Sequence, residues 1–353
     1  MLSTDSVVNM SNQTLLTPKI ARSARKLVRI SVEDVVRTEL PGASDWWPVI
    51  MHPGIEGVDL LTWASGHRLR IDHLLREYGA ILFRNFSLTG IGAFEQLVEA
   101  ISGGLLDYTY RSTPRTRVQG RIYTSTEYPS DQSIPLHNEL SYASAWPMKI
   151  WFYCVQPASS GGETPIADSR RVYAGIDPHV LERFERSGVM YVRNYGEGVD
   201  LPWQEVFQTS SRTAVEQICR NANLSYEWKS GDRLRTRQVC QAATTHPKTG
   251  ERVWFNQAHL FHISRVEPAV RESLLSTFAE EDLPRNVYYG DGSPIESATL
   301  DHIAAVYDEQ TVTFTWHRGD ILMLDNVLTA HGRRPFGGER RVVVGMAETV
   351  SAR

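Results

Sequence analysis

A mainly β domain with helical insertions, built as a double-sheet barrel carrying helices on its outside, is predicted by three observations. After Pro135 the chain turns to short runs rich in β-branched and aromatic residues. Turn residues separate most of these runs. Helical patterns interrupt the runs, as insertions into a barrel would.

The elements follow in order. A short helix near Leu69–Glu77 stops at Gly79, and Ala80-Ile81-Leu82-Phe83 then reads as a buried strand. Phe94, Leu97, Val98 and Ile101 keep the i, i+3, i+4, i+7 spacing of one helical face, and Gly103-Gly104 ends that helix. Strands are expected over Lys149–Val155, Val189–Val192, Arg252–Phe255, Thr311–Thr315, Ile321–Leu324 and Val342–Met346. Pro247-Lys248-Thr249-Gly250 and Arg318-Gly319-Asp320 supply turns. Helices are expected near Pro178–Ser187, Thr213–Asn221, Pro268–Glu280 and Ala298–Tyr307. No repeat, low-complexity stretch or linker divides the chain, so residues 39–353 read as one domain.

Composition narrows the function classes. The 353 residues carry 37 basic and 41 acidic side chains, a formal charge of −4, with no basic stripe for nucleic acid. No apolar run approaches the roughly 20 residues of a membrane helix. Cys154, Cys219 and Cys240 are odd in number and never spaced CxxC, which fits ordinary thiols in a reducing cytoplasm. Residues 1–38 read as a loose N-terminal tail. Its Ser, Thr, Lys and Arg content overlaps that of a transit peptide. The long polar segment around 191–245, between expected barrel strands, reads as a lid-like insertion.

Two distant segments carry the chemistry. One is His137-Asn138-Glu139; the other is Asp325-Asn326-Val327-Leu328-Thr329-Ala330-His331-Gly332-Arg333. Together they offer two imidazoles and a carboxylate, the set that binds non-haem Fe(II) on one face and leaves the opposite face open. On a strand, His137 and Glu139 point to the same side and can reach one ion. Each segment alone is ordinary: a strand-end histidine beside a glutamate, or a packed loop histidine. Arg340-Arg341 stands before Val342-Val343-Val344, either as solvated charge or with one fork turned inward to grip a carboxylate. Gly161-Gly162-Glu163-Thr164 is a turn into a strand, with a hydroxyl at Thr164 that could join the same grip.

These segments, with Ala167-Asp168, Trp316 before Gly319-Asp320, and Leu324-Asp325-Asn326, occur in the order found in the TauD/TfdA family, which the chain resembles over roughly residues 75 to 348. Tyr123-Thr124-Ser125-Thr126-Glu127-Tyr128-Pro129 and Trp254-Phe255-Asn256-Gln257 are similar to the SyrP-like and clavaminate-synthase-like branch. The resemblance implies a distorted double-stranded β-helix (jelly roll) flanked by helices, and an Fe(II)- and 2-oxoglutarate-dependent dioxygenase. It implies His137, Glu139 and His331 as iron ligands, with Glu where many members have Asp. Thr164 and Arg341 would hold the distal carboxylate of 2-oxoglutarate, with Arg340 as the alternative. A halogenase is disfavoured, because Glu139 fills the position that such enzymes leave to halide.

The implied reaction consumes O2 and releases succinate and CO2 while hydroxylating a substrate; desaturation or cyclisation would need the same ligands. By resemblance the substrate is an amino acid or an amino-acid derivative of a natural-product pathway, free or tethered to a peptidyl carrier protein. A free small carboxylate or sulfonate comes second. Asn138, Tyr142, Arg193 and Asn256 are the candidate substrate contacts, each with a packing role as its alternative. Two other classes remain open on the residues alone: a metalloenzyme of similar barrel that uses no 2-oxoglutarate, and a non-catalytic pathway binding protein.

Overall fold

The computed structural model describes residues 35–42, 47–107, 116–126, 128–196 and 200–351. The tail and transit-peptide readings for residues 1–34 lie outside these. The strand Val36–Glu39, paired with Val49–Pro53, straddles the expected boundary at 39.

Two sheets make the barrel. The larger has eight strands, in the order Val36–Glu39, Val49–Pro53, Ala80–Phe83, Ile321–Asp325, Ala145–Gln156, Arg341–Ser351, Ile122–Thr124, Arg117–Gln119. The smaller sets Thr329–Arg333 between Ile134–His137 and Ile166–Asp168. The central strands of the larger sheet are buried on both faces, and the period of two sorts their side chains. Ile81, Phe83, Trp151, Tyr153, Ile321, Met323 and Val343 pack outward against the helices Leu60–Gly66, Arg68–Tyr78 and Gly90–Ser102. Leu82, Ile150, Phe152, Leu322, Leu324, Val342 and Val344 point inward, toward Ile166 of the smaller sheet. Runs such as Ile321-Leu322-Met323-Leu324 are therefore apolar at every position, because both sides are covered.

The expected helices form where their caps allow. Gly79 ends Arg68–Tyr78 in the left-handed region, at φ 78°. Asp177 caps Pro178–Ser187 by accepting from the His179 and Val180 amides. The expected strand over Thr311–Thr315 does not form. Only Val312 bridges to Ile166, and Phe314 and Trp316 pack by side chain without a ladder.

The segment around 191–245 is a folded unit. Strands Val189–Tyr195, Ser225–Lys229 and Arg233–Cys240 join Arg285–Tyr289 in a four-stranded sheet. The helix Arg212–Asn221 packs on it over Tyr195, Trp203, Val215, Cys219 and Leu234. All three cysteines are buried and free. Among the described residues no helix is long and apolar enough to cross a membrane.

Candidate metal centre

His137 closes the strand Ile134–His137, and His331 lies directly opposite it on Thr329–Arg333. Hydrogen bonding places the Nδ1 proton of His137 on the Pro135 carbonyl, 2.9 Å away, which makes Nε2 the lone-pair nitrogen. His331 is 5% exposed, with its ring 5.1 Å from that of Phe152 of the larger sheet. Glu139 lies beyond the strand end, in the turn that follows. It reaches the histidines from a turn, so the strand alternation expected for the pair is not what aligns them. One ligating atom from each of His137, Glu139 and His331 lies within 4.8 Å of the others. Two imidazoles and a nearly buried carboxylate are the donor chemistry that Fe(II) accepts, so the residues fit the metal.

Two cavities meet at these side chains. The smaller, about 30 Å³, is lined by His137, His331, Thr164, Arg333, Arg340 and Phe152, among others. Arg340 Nε donates to the Gly162 carbonyl at 3.0 Å. Burial, then the neighbouring Arg333 cation, pushes the Arg340 guanidinium down to about 10. Arg333 is itself lowered by burial, and donates to the carbonyls of Tyr128, Pro129 and Gln132. Two desolvated cations on one small cavity favour an anion there. The Thr164 hydroxyl accepts from Trp316 Nε1 at 3.1 Å, which turns its own proton toward another acceptor. These residues fit a dicarboxylate such as 2-oxoglutarate.

Arg341, the preferred partner in the sequence reading, is solvent-exposed and lines neither cavity. Arg340, just before the strand Arg341–Ser351, lines the smaller cavity, while the ladder shifts register between Arg341 and Val342 and leaves Arg341 in solvent. The inward arginine is the alternative, Arg340.

The larger cavity, about 260 Å³, shares His137 with the smaller one, is lined by Glu139, and is walled by Tyr142, Gln257, Phe261 and Leu274, with Arg285 among its lining residues. Of the four candidate substrate contacts, only Tyr142 lines it. Asn138 is buried beneath, donating to the Asn326 carbonyl and to Ser169 Oγ. Asn256 bonds the Ala242 carbonyl and the Ala258 amide. Its neighbour Gln257 faces the cavity instead. Arg193 is buried against Asp200 at 3.4 Å, away from both cavities. Among the described residues, none of the 191–245 unit lines the larger cavity; its roof comes from Gln257 to Leu274 and from Arg285.

Sequence reasoning missed Arg333, Gln257, Phe261 and Arg285. Arg333 was legible, since it lies two residues past His331 on one strand and so shares its face. Nothing in the sequence foretells Arg285, which a strand beyond the barrel brings to the cavity and Asp200 holds by two bonds, at 2.8 and 3.1 Å.

A jelly roll that gathers two imidazoles and a carboxylate beside an arginine-lined cavity defines a non-haem, metal-dependent oxygenase. The chain belongs to the taurine catabolism dioxygenase TauD, TfdA family, whose signature it matches over residues 41–347. It is 43% identical over 280 residues to the dapdiamide synthesis protein DdaC of Enterobacter agglomerans, covering 79% of this chain and 85% of that one. It is 32% identical over 293 residues to a clavaminate synthase-like protein of Arabidopsis thaliana, covering 79% and 84%. Among solved structures, PvcB of Pseudomonas aeruginosa superposes with a TM-score of 0.53 at 14% identity, over 92% of this chain and 94% of that one. A second PvcB structure, described as an Fe, alpha-ketoglutarate dependent oxygenase from an isonitrile synthetic pathway, gives 0.52. These low-identity matches show the shared fold. Family membership makes this chain an iron- and 2-oxoglutarate-dependent dioxygenase.

Proposed function

We propose that this enzyme hydroxylates an amino acid or an amino-acid-derived substrate in a natural-product pathway. The observation that carries the reading is the convergence of the His137, Glu139 and His331 ligating atoms at the junction of the two cavities. The pathway context rests on the likeness to a dapdiamide synthesis protein.

In this reading the three side chains hold Fe(II), and Arg340 and Thr164 take the distal carboxylate of 2-oxoglutarate in the smaller cavity. Arg333 adds its charge to the same wall. When bound, iron and 2-oxoglutarate supply the oxidising chemistry, with release of succinate and CO2. The protein's own residues do the rest. Phe152 and the apolar wall around Tyr142 and Phe261 exclude water. Tyr142, Gln257 and Arg285 orient the substrate against the metal face. A cavity of about 260 Å³ suits a small acid or an acyl group. A substrate delivered on a peptidyl carrier protein is the same reading with a thioester at the cavity mouth. Buried free cysteines suit a cytoplasmic setting.

The test is succinate formation from 2-oxoglutarate by protein loaded anaerobically with Fe(II) and then exposed to O2. Free amino acids are compared with their carrier-protein thioesters as stimulants. Product mass separates hydroxylation, which adds oxygen, from desaturation or cyclisation, which removes two hydrogens. A loaded protein that makes no succinate with any stimulant would end the reading.

A further inference from the structure

Glu139 is held in an unusual way for a metal ligand. Its strand ends at His137, so no ladder fixes its backbone. Leu140 follows with φ 58°, a left-handed conformation that bends the chain away at once. The restraint comes from a side chain far along the sequence. The Asn326 carboxamide accepts from the Glu139 amide at 2.7 Å and donates to the Glu139 carbonyl at 3.0 Å. It also donates to the Pro147 carbonyl at 2.9 Å. One side-chain amide thus makes with Glu139 the double exchange that two backbones make in a hydrogen-bonded antiparallel pair.

Asn326 is itself fully buried and fixed. Its amide donates to the Met148 carbonyl at 2.8 Å, and its carbonyl accepts from Asn138 Nδ2 at 2.7 Å. Asp325 locks the turn by accepting from the Val327 and Leu328 amides, and its other oxygen meets His246 Nε2 at 3.0 Å. Five residues further along the same segment comes His331. The segment that supplies the second imidazole therefore also holds the carboxylate.

We propose that Asn326 is a positioning residue for the metal centre, and that its side-chain clamp sets where Glu139 stands relative to His137 and His331. The inference rests on the reading of these three as metal ligands. Glu carries one more rotatable bond than Asp, so a fixed backbone matters more to where its carboxylate falls. Asn326 touches neither metal nor substrate in this role. Removing its donors takes the Asn326 bonds from the Glu139 and Pro147 carbonyls and lets Glu139 drift, which costs metal affinity.

The experiment is anaerobic Co(II) titration of the full chain, followed by absorption, with folding checked by circular dichroism. Asn326→Asp keeps the shape and removes both donors; Asn326→Ser removes the clamp. Both are expected to weaken Co(II) roughly ten- to hundredfold, the range for losing a group that orients a ligand. In a Glu139→Ala background the same changes are expected to move affinity less than twofold, because the positioned carboxylate is gone. A folded Asn326→Asp with parental affinity overturns the proposal, as does an equal loss in both backgrounds. If Glu139→Ala alone leaves Co(II) binding intact, the ligand reading itself falls, a distinct result. Hydrogen exchange on the unsubstituted protein decides the matter should the variants not fold. Protection of the Glu139 amide equal to that of ladder amides supports the clamp; exchange at the rate of an open loop overturns it.

Discussion

His331 lies directly across the antiparallel ladder from His137, with the two rings 4.6 Å apart. Cross-strand pairing brings two ligands together without any loop having to be ordered, and Glu139 completes the set from the adjoining turn. Loss of the carboxylate removes the only negative charge in this set. In Glu139→Ala, Fe(II) affinity is expected to weaken and turnover to fall to background while circular dichroism stays that of the parent. Hydroxylation at the parental rate in this variant would contradict the ligand assignment.

Arg340 and Arg341 provide an internal control, being neighbours that face opposite ways. Truncating a buried charge that meets a carboxylate costs about 2–4 kcal/mol, roughly thirty- to thousandfold in Kd. Arg340→Gln is expected to lose 2-oxoglutarate affinity on that scale. Arg341→Gln, at an exposed position, is expected to change it little. Calorimetric titration of 2-oxoglutarate into protein loaded with Mn(II) measures both. The reverse order would return the role to Arg341.

Thr164 is held ready as a donor because Trp316 fills one of its acceptor positions. Thr164→Val removes one hydroxyl contact, on the order of 1 kcal/mol or about fivefold in 2-oxoglutarate affinity. The same titration checks this. Unchanged affinity removes Thr164 from the co-substrate site.

What the sequence revealed, and what it hid, follows from the range of each determinant. Helix Pro178–Ser187 was legible to the residue, because Asp177, Pro178 and Gly188 are local signals. The apolar strands were legible because burial on both faces leaves no polar position in Ile321-Leu322-Met323-Leu324. His137, Glu139 and His331 came from motif order, and the structure brings their ligating atoms together. The preference for Arg341 over Arg340 followed motif alignment, whereas the structure sets Arg340 on the small cavity and Arg341 in solvent, at a register shift that no local pattern encodes. Asn138 and Asn256 look like site residues by proximity in sequence, yet each satisfies buried backbone groups. Arg285 and the Asn326 clamp depend on contacts between distant segments, which no local pattern encodes.

His259 gives the fold a pH dependence whose sign is fixed by burial. It is buried beside the metal strand, with Nε2 donating to the Leu136 carbonyl at 2.9 Å and its ring 4.6 Å from that of Tyr307. Burial, the dominant cause, pushes its pKa down to about 4. The Leu136 bond opposes that shift, and His137 and Arg265 reinforce it. An unfolded histidine titrates near 6.5. Between these values the unfolded chain binds a proton that the folded one refuses, so stability falls as pH drops through that window and is retained above it. The full effect is roughly 3 kcal/mol. Urea unfolding of the metal-free protein at pH 7.5, 6 and 5 is expected to show this decline, and His259→Gln, which keeps a donor for Leu136 but does not titrate, is expected to flatten it. Carboxylates add their own slope in both proteins, so the difference between the two isolates His259. Identical slopes would place the acid sensitivity elsewhere.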